Sequence, residues 1–383
     1  MNDLVWYFFK LGSVGFGGPA ALVGYMRRDL VDDRQLIDEP TYNLSIALAQ
    51  IMPGPLAAQT AMAIGYFQGG VAGATLVGLA FILPSFLMVL GLSAVYVAYG
   101  GMPWMQSVFY GIGAVVIAII SVAAYRLARG TNKSDPLLWT VFAVMLLATA
   151  WTGTELATLC LVAGLLVLLV RAWPGVRQAG LLAVAGLAAV ALILVLEREL
   201  STSTASGDQH VLMQILLFFT KAGSFVFGSG LAIVPFLHAG VVQEYGWLND
   251  KQFLDAVAVA MLTPGPIVIT VAFIGYLVAA FPGAVAAAVG VFLPVYLFVV
   301  VPFPWFDRIS GNARVKGFVA GVTAAASGTI AGACVVLARR AIVDVPTLLI
   351  AAAALVVAWR FKIPEPVLIA AGALAGLIIF AVR

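Results

Sequence analysis

The chain is poor in charge. Asp, Glu, Lys and Arg make up only 10% of its 383 residues, while 63% are hydrophobic and the mean hydropathy is +1.08. A water-soluble globular domain is thereby excluded, because apolar runs of this extent belong in a bilayer. A formal charge of +3, scattered over loops, excludes a nucleic-acid groove. There are two cysteines, Cys160 and Cys334, in apolar stretches far apart in sequence, and two histidines, His210 and His238, without metal-ligand spacing. That excludes a disulfide framework and structural zinc, and no cofactor is expected. No Gly-x-x-x-x-Gly-Lys-Ser/Thr phosphate loop is present, so the chain does not hydrolyse ATP. The His and acid pairs of a membrane hydrolase are missing too, and no embedded acid pair stands out as a proton relay. A basic n-region and a small-residue cleavage site are absent from the start, which therefore reads as a first membrane helix.

What is present is the same pattern written twice. Phe9-Lys10-Leu11-Gly12-Ser13-Val14-Gly15-Phe16-Gly17 aligns with Thr220-Lys221-Ala222-Gly223-Ser224-Phe225-Val226-Phe227-Gly228, and Pro53-Gly54-Pro55 with Pro264-Gly265-Pro266 (221 − 10 = 264 − 53 = 211). Gly65-Tyr66 then matches Gly275-Tyr276, Leu83-Pro84 matches Leu293-Pro294, and Leu127-Ala128-Arg129 matches Leu337-Ala338-Arg339, at an offset of 210. Apolar runs predict six spans (5–26, 42–68, 71–97, 107–128, 136–151, 155–171), one linking helix (179–197) and six more (211–238, 252–279, 282–303, 315–338, 343–359, 364–382). Six spans return the chain to its starting side, so one linking helix inverts the second half. The expected fold is an all-α integral membrane protein: a first repeat at 1–175, a linking helix and loop at 176–210, and an inverted second repeat at 211–383. If every segment crosses, eleven basic residues lie on the N-terminal side and seven opposite, which puts the N-terminus in the cytoplasm. The segments around Gly153 and at 343–359 are short enough to form a re-entrant hairpin instead.

Lys10 and Lys221 are the two basic residues that fall outside the loops. A lysine central in a membrane helix costs about 2.5 to 3.5 kcal/mol, which a bound anion would offset. The plainer alternative is that each lysine snorkels to the headgroups. Gly15, Phe16, Gly17, Gly18 and Pro19, with Phe227, Gly228, Ser229 and Gly230 in the second copy, predict an unwound stretch whose freed amides favour an anion. Close helix packing through small residues is the alternative. Pro-Gly-Pro is the stronger interruption, after which Leu56 and Ile267 would each start a half-helix with free amides. Gln50, Gln59, Thr60, Thr263 and Thr270 either add donors there or patch carbonyls freed by the break. The mixed-charge loop from Arg27 to Glu39 is a solvated connection. His238 and Glu244 occupy its equivalent, with residue type alone pointing to a relay.

At Phe16-Gly17-Gly18-Pro19, Pro53-Gly54-Pro55, Phe227-Gly228 and Pro264-Gly265-Pro266 the sequence resembles the two-domain form of the chromate ion transporter family over nearly its whole length. The resemblance implies a bacterial or archaeal inner-membrane protein that exports chromate, with sulfate as the physiological look-alike in some members. The family's motif positions fall on Lys10, Gly12, Phe16, Gly17, Gly18, Pro19, Pro53, Gly54 and Pro55, and on Lys221, Gly223, Phe227, Gly228, Pro264, Gly265 and Pro266. Strict symmetry fails at Ser229 and Gly230, opposite Gly18 and Pro19. The expectation is a secondary transporter with a midplane oxyanion site formed by these residues with Gln50 and Thr263, exposed alternately to the two sides. Its partners are the oxyanion and the lipid bilayer, with a homodimer left open and no nucleic acid. Two alternatives stand beside it: a carrier of sulfate or another anion, and a membrane-embedded enzyme acting on a lipid phosphate. A passive channel is disfavoured, because Pro-Gly-Pro interruptions suit moving half-helices.

Overall fold

The computed structural model describes residues 1–16, 18–100, 102–152, 157–172, 208–226, 230, 233–305, 312–361 and 363–382. Among them there are helices and turns but no strand. The expected linking helix at 179–197, the stretch at Gly153, and Gly17, Phe227, Gly228 and Ser229 of the glycine-rich breaks lie outside the described residues.

The first half runs α1 (Asn2–Val14), α2 (Gly18–Arg27) with a π-helical turn (Arg28–Asp33), α3 (Glu39–Ile51), α4 (Leu56–Tyr99), α5 (Pro103–Asn132), α6 (Pro136–Thr152) and α7 (Ala157–Ala172). The second runs α8 (Asp208–Ser224), α9 (Ile233–His238) with a π-helical turn (Ala239–Glu244), α10 (Asp250–Leu262), α11 (Thr270–Val300), α12 (Ala313–Ala341), α13 (Val345–Arg360) and α14 (Glu365–Val382). Helix starts carry their own signals. Asp38 caps α3 through the Thr41 amide with Pro40 in the first turn, and Asn249 with Gln252 and Asp344 with Thr347 close capping boxes on α10 and α13.

Four predicted spans, 5–26, 42–68, 211–238 and 252–279, are corrected. Residues 5–26 do not form one crossing helix, because the Tyr7 hydroxyl donates to Asp29 at 3.2 Å. In a continuous helix those residues would stand about 33 Å apart. The chain reverses between Gly15 and Gly18, and α2 with its π-helical turn runs back along α1. In the same way 42–68 is a hairpin turning at Pro53-Gly54-Pro55, with Leu48 of α3 clustered with Met62 and Ala63 of α4. The second half repeats this. The ring of Phe218 on α8 packs against Gly240 beyond the corresponding reversal. The physical reason is the one that suggested a kink: successive residues without a usable donor or a β-carbon let the chain turn through far more than a bend.

α4 is itself two arms. Gly69 (φ −157°) and Gly70 (φ 57°, ψ −147°) break it, and Ala279 (φ −144°) and Ala280 (φ 48°, ψ −145°) break α11 at the offset of 210. At each turn two glycines eight residues apart, Gly65 with Gly73 and Gly275 with Gly283, bring the arms into backbone contact. Met1 packs against Gly69 and Gly73, so this turn and the N-terminus share one face of the molecule. From there the second arm of α4, 71–99, extends about 43 Å to the opposite face. Five helical segments among the described residues are long and apolar enough to cross a membrane: Leu56–Tyr99, Pro103–Asn132, Ile267–Trp305, Ala313–Ala341 and Glu365–Val382.

The halves interlock. α5 packs against α12, α13 and α14, while α12 packs against α6 and α7. Polar ties reinforce the seam: Tyr110 donates to Asp344 at 2.6 Å, Arg126 donates to the Ala358 carbonyl at 2.9 Å, and Thr75 and Tyr296 share a hydrogen bond at 2.8 Å. Phe8, Phe81, Phe219, Phe253 and Phe273, all fully buried, fill the shared core beneath the hairpins.

Candidate functional site

The hairpin tips meet one another across the halves. The Gly54 amide donates to the Val226 carbonyl at 2.5 Å, and the Gly265 amide donates to the Gly15 carbonyl at 2.9 Å. Both donors and both acceptors are separated by 211 positions (265 − 54 = 226 − 15), so each Pro-Gly-Pro turn pairs with the glycine-rich break of the other half. Gly54 (φ +147°) and Gly265 (φ +95°) adopt backbone conformations that L side chains rarely reach. Pro264, Gly265 and Pro266 are buried, as are Gly54 and Pro55, whereas Pro53 is half-buried. Phe16 and Pro19 are half-buried beside Gly18, whose φ is +75°.

Polar side chains at the tips satisfy the broken backbone. Gln59 donates from Nε2 to the Pro53 carbonyl at 2.6 Å, Thr60 to Leu56, Thr263 to Ala260 and Thr270 to Ile267. Of the two roles open to them in the sequence, patching freed carbonyls is the one these contacts describe. The Gln59 Oε1 atom is buried without a partner among the described residues. Gln50 lies exposed near the end of α3. Ser85 donates to the Gly12 carbonyl at 3.2 Å and lies against Gly265, tying a long helix to both breaks.

Gly12 and Gly223 act in packing. A β-carbon on Gly12 would overlap the Phe81 carbonyl and one on Gly223 the Val291 carbonyl, which is why α1 and α8 can press against the long arms of α4 and α11. Lys10 and Lys221 are exposed and, among the described residues, make no ion pair. Lys10 shares its helix face with Trp6 and Val14, and Lys221 shares its own with Met213 and Leu217, all exposed. The geometry brings the Pro-Gly-Pro residues together with Gly15 and Val226, but it leaves both lysines and Gln50 on the outside.

Several polar groups escaped the reading of the sequence. Glu365, at the start of α14, has a carboxylate oxygen 3.5 Å from where a β-carbon on Gly18 would lie. A signal existed, since Glu365 stands 210 residues after Glu155, which lies outside the described residues. Nearby, Arg126 and Arg129 line a cavity of about 460 Å³ with Tyr125, Gly130 and Trp359. On the opposite face a cavity of about 630 Å³ opens between α5, α10, α12 and α14, and reaches Asp255. Asp255 is 3% exposed and accepts the Tyr96 hydroxyl at 2.7 Å. A single acid inside the run Phe253 to Leu262 was the available clue. His238, expected only as a residue type of interest, is buried and bonded to Asp250 at 2.8 Å. Among the described residues no group of His, Cys, Asp and Glu could hold a metal ion.

Comparison with known proteins gives a consistent picture. The family model described as Chromate transporter matches residues 2–169 and 213–377. The chain is 53% identical over 381 residues to a protein of Cupriavidus metallidurans named Chromate transport protein, covering 99% of this chain and 93% of that one. It is 51% identical to a Probable chromate transport protein of Synechococcus elongatus (99% and 95% covered) and 34% identical to a Chromate transport protein of Pseudomonas aeruginosa (97% and 91% covered). No solved structure matches the chain.

Proposed function

The chain belongs to the chromate transporter family, and from that membership we propose that it exports chromate from the cytoplasm through an oxyanion site where the hairpin tips meet. It is a multi-pass membrane transporter and not an enzyme. The observation that carries the proposal is the crossed pairing of Gly54 with Val226 and Gly265 with Gly15. Two hairpins of the first half enter from the face of Met1 and two of the second half enter from the other face, so the four tips converge at the midplane. In this reading they are inverted repeats whose half-helices begin there, at Gly18, at Leu56 and, after a 3-10 turn at Ile267–Ile269, at Thr270.

In this reading Phe16 and Gly18, with the two Pro-Gly-Pro turns and the neighbouring Thr263, shape a pocket for a tetrahedral dianion. Lys10 and Lys221, less than two turns before their breaks, add positive charge from the exposed faces of α1 and α8. Arg126 and Arg129 gather the anion on the face of Met1. Sulfate has the same shape and charge and competes. Rocking of one half on the other breaks and remakes the crossed tip bonds, which opens the junction to each side in turn.

The hairpins also bear on the side of the N-terminus, which in this reading is cytoplasmic. Once they are allowed for, Arg27, Arg28 and Arg34 move to the N-terminal side and Lys251 moves away from it. The basic count becomes thirteen against five (11 + 3 − 1 and 7 − 3 + 1).

The test is labelled chromate flux in sealed vesicles of known orientation, with unlabelled sulfate as competitor. Saturable flux from the cytoplasmic face, blocked by sulfate and reduced at least several-fold in Lys10→Ala and Lys221→Ala, is expected. Flux no greater than in protein-free vesicles, with insertion verified, would overturn the reading; unchanged flux in both lysine variants would remove the lysines from the site.

A further inference from the structure

We propose that Asp255 is the proton-coupling residue of this transporter: a carboxyl on α10 that exchanges a proton with water in the far-face cavity and, through Tyr96, links that proton to the position of the second-half hairpin. The inference deepens the transporter reading and rests on it.

Four observations converge on Asp255. First, it is buried in an apolar helix that descends from the face opposite Met1, yet it lines the cavity of about 630 Å³ that opens on that face. A buried acid in a membrane protein that still reaches water marks an ion or proton path. Second, its hydrogen-bond partner is the neutral Tyr96 hydroxyl at 2.7 Å, and among the described residues no cation lies within ion-pair distance of it. Third, Tyr96 belongs to α4, so the bond joins the halves. Its ring is held edge-on by Phe109 at 5.4 Å and Phe273 at 5.1 Å, which fixes the direction of the hydroxyl. Fourth, α10 continues into the Thr263–Pro266 tip, eight residues or about 12 Å beyond Asp255. A change at the carboxyl is thus transmitted along a rigid helix to the junction.

Apart from Lys251, which lines the same cavity, the surrounding charges are engaged elsewhere or remote. On α10, Lys251 precedes Asp255 by one turn on the same face, and Asp250 is bonded to His238 of α9, with Arg340 of α12 at 3.7 Å. From α5, Tyr110 donates to Asp344 at the start of α13. Glu244, on the π-helical turn after α9, is exposed. α14 brings Gly376, Ile379 and Phe380 to the cavity, and α11 brings Phe273 to Tyr96; neither contributes a charge there. As a carboxylate, Asp255 accepts the Tyr96 O–H and holds α10 to α4. Once it takes a proton from cavity water it is a weaker acceptor, and the tie between the halves loosens. Protonation and rocking are thereby one event: the proton enters from the face opposite the oxyanion's entry, and Asp255 gives it up to water on the face of Met1 once rocking has opened the junction to that side.

The experiment uses the full-length protein in proteoliposomes and two readouts: exchange of labelled chromate at equal pH, and accumulation of labelled chromate driven by an imposed pH gradient. The wild type is expected to do both. Asp255→Asn should keep exchange within about twofold and lose gradient-driven accumulation at least tenfold, and Asp255→Glu should restore part of it. Tyr96→Phe retains the carboxyl but removes its tie to α4, and should lose gradient-driven accumulation several-fold while leaving exchange intact. Gradient-driven accumulation at the wild-type level in Asp255→Asn overturns the proposal. So does robust wild-type exchange that ignores the pH gradient. Should Asp255→Asn fail to insert, gradient-driven accumulation at the wild-type level in Tyr96→Phe overturns it independently. Absence of exchange in the wild type removes the transporter reading itself, and this inference with it.

Discussion

Gly265 stands at φ +95°, and a β-carbon there would overlap the Ser85 hydroxyl, so any side chain strains the backbone and must displace Ser85 as well. Forcing an alanine into such backbone costs about 1–3 kcal/mol before the clash is counted. Because the Gly265 amide is also the donor to Gly15, the strain falls on one of the two bonds that join the tips. Gly265→Ala is therefore expected to insert but to lose chromate flux about tenfold, the equivalent of about 1.4 kcal/mol in the barrier. Gly24→Ala is the control: that glycine has open space around it on α2 and should retain flux. Equal flux in the two variants would sink the argument. Asp135 offers a residue-scale test outside the membrane. It accepts the Leu137 amide at 2.9 Å at the start of α6 and pairs with Arg171 at 2.6 Å. Partial burial pushes its carboxyl upward, but the Arg171 bond and the Leu137 and Leu138 amides together outweigh that and hold it below the usual carboxylate range. A lowered folded pKa means that the stabilisation is present above the ordinary value of about 3.9 and fades as the pH falls through the folded one. Melting temperature in detergent should thus fall on acidification below about pH 4 more steeply in the wild type than in Asp135→Asn. At neutral pH, Asp135→Ala should cost about 1 kcal/mol as a lost cap.

At the scale of elements, the two arm-reversing turns form a natural experiment, because Gly70 and Ala280 occupy the same place in the two halves with nearly the same dihedrals. Gly70 reaches φ 57°, ψ −147° without penalty, whereas the methyl of Ala280 is forced into the corresponding conformation at φ 48°, ψ −145°. Ala280→Gly should therefore stabilise the protein by about 1 kcal/mol and Gly70→Ala destabilise it by about as much, read as opposite shifts in melting temperature. Shifts of the same sign would contradict the strain argument. These turns also show what the sequence could convey. A boundary near 71 was legible because Gly69 and Gly70 interrupt an apolar run; the reversal at Gly15–Gly18 was not, since hydrophobic periodicity is the same whether a chain continues past a break or folds back. Length was the unread clue: α1, at 13 residues, extends about 20 Å, short of a hydrocarbon core of about 30 Å. The matched interruptions were legible for a different reason, that proline and glycine carry their backbone consequences locally. Their crossed pairing and the Asp255–Tyr96 contact depend on residues more than 150 positions apart, and no local pattern encodes such a meeting.

On the scale of the whole molecule, two repeats in sequence are not two bodies in space. α12 lies on α6 and α7, and α5 lies on α12, α13 and α14, so each half covers apolar faces of the other. Buried Val116, Ile120, Ala324, Ala325 and Ile330 line these seams, fully or almost fully shielded. Uncovering such residues would leave close-packed small-residue surfaces, matched to one partner, facing lipid tails that cannot reproduce their contacts. The tip junction would be lost as well, since each Pro-Gly-Pro finds its bonding partner in the other half. A cut in the Ser/Thr-rich stretch between Ser201 and Gly207 falls after the expected linking helix and separates the repeats without touching any described contact. Co-expressed as fragments 1–204 and 205–383, the halves should co-purify and recover chromate flux, because every interaction that joins them is noncovalent. Expressed singly, each should be depleted from the membrane and melt without a cooperative transition. A lone fragment 205–383 that melts cooperatively near the full-length temperature would mean that the interlocked seam is dispensable, and a lone fragment that carries chromate would mean that the crossed junction is dispensable too.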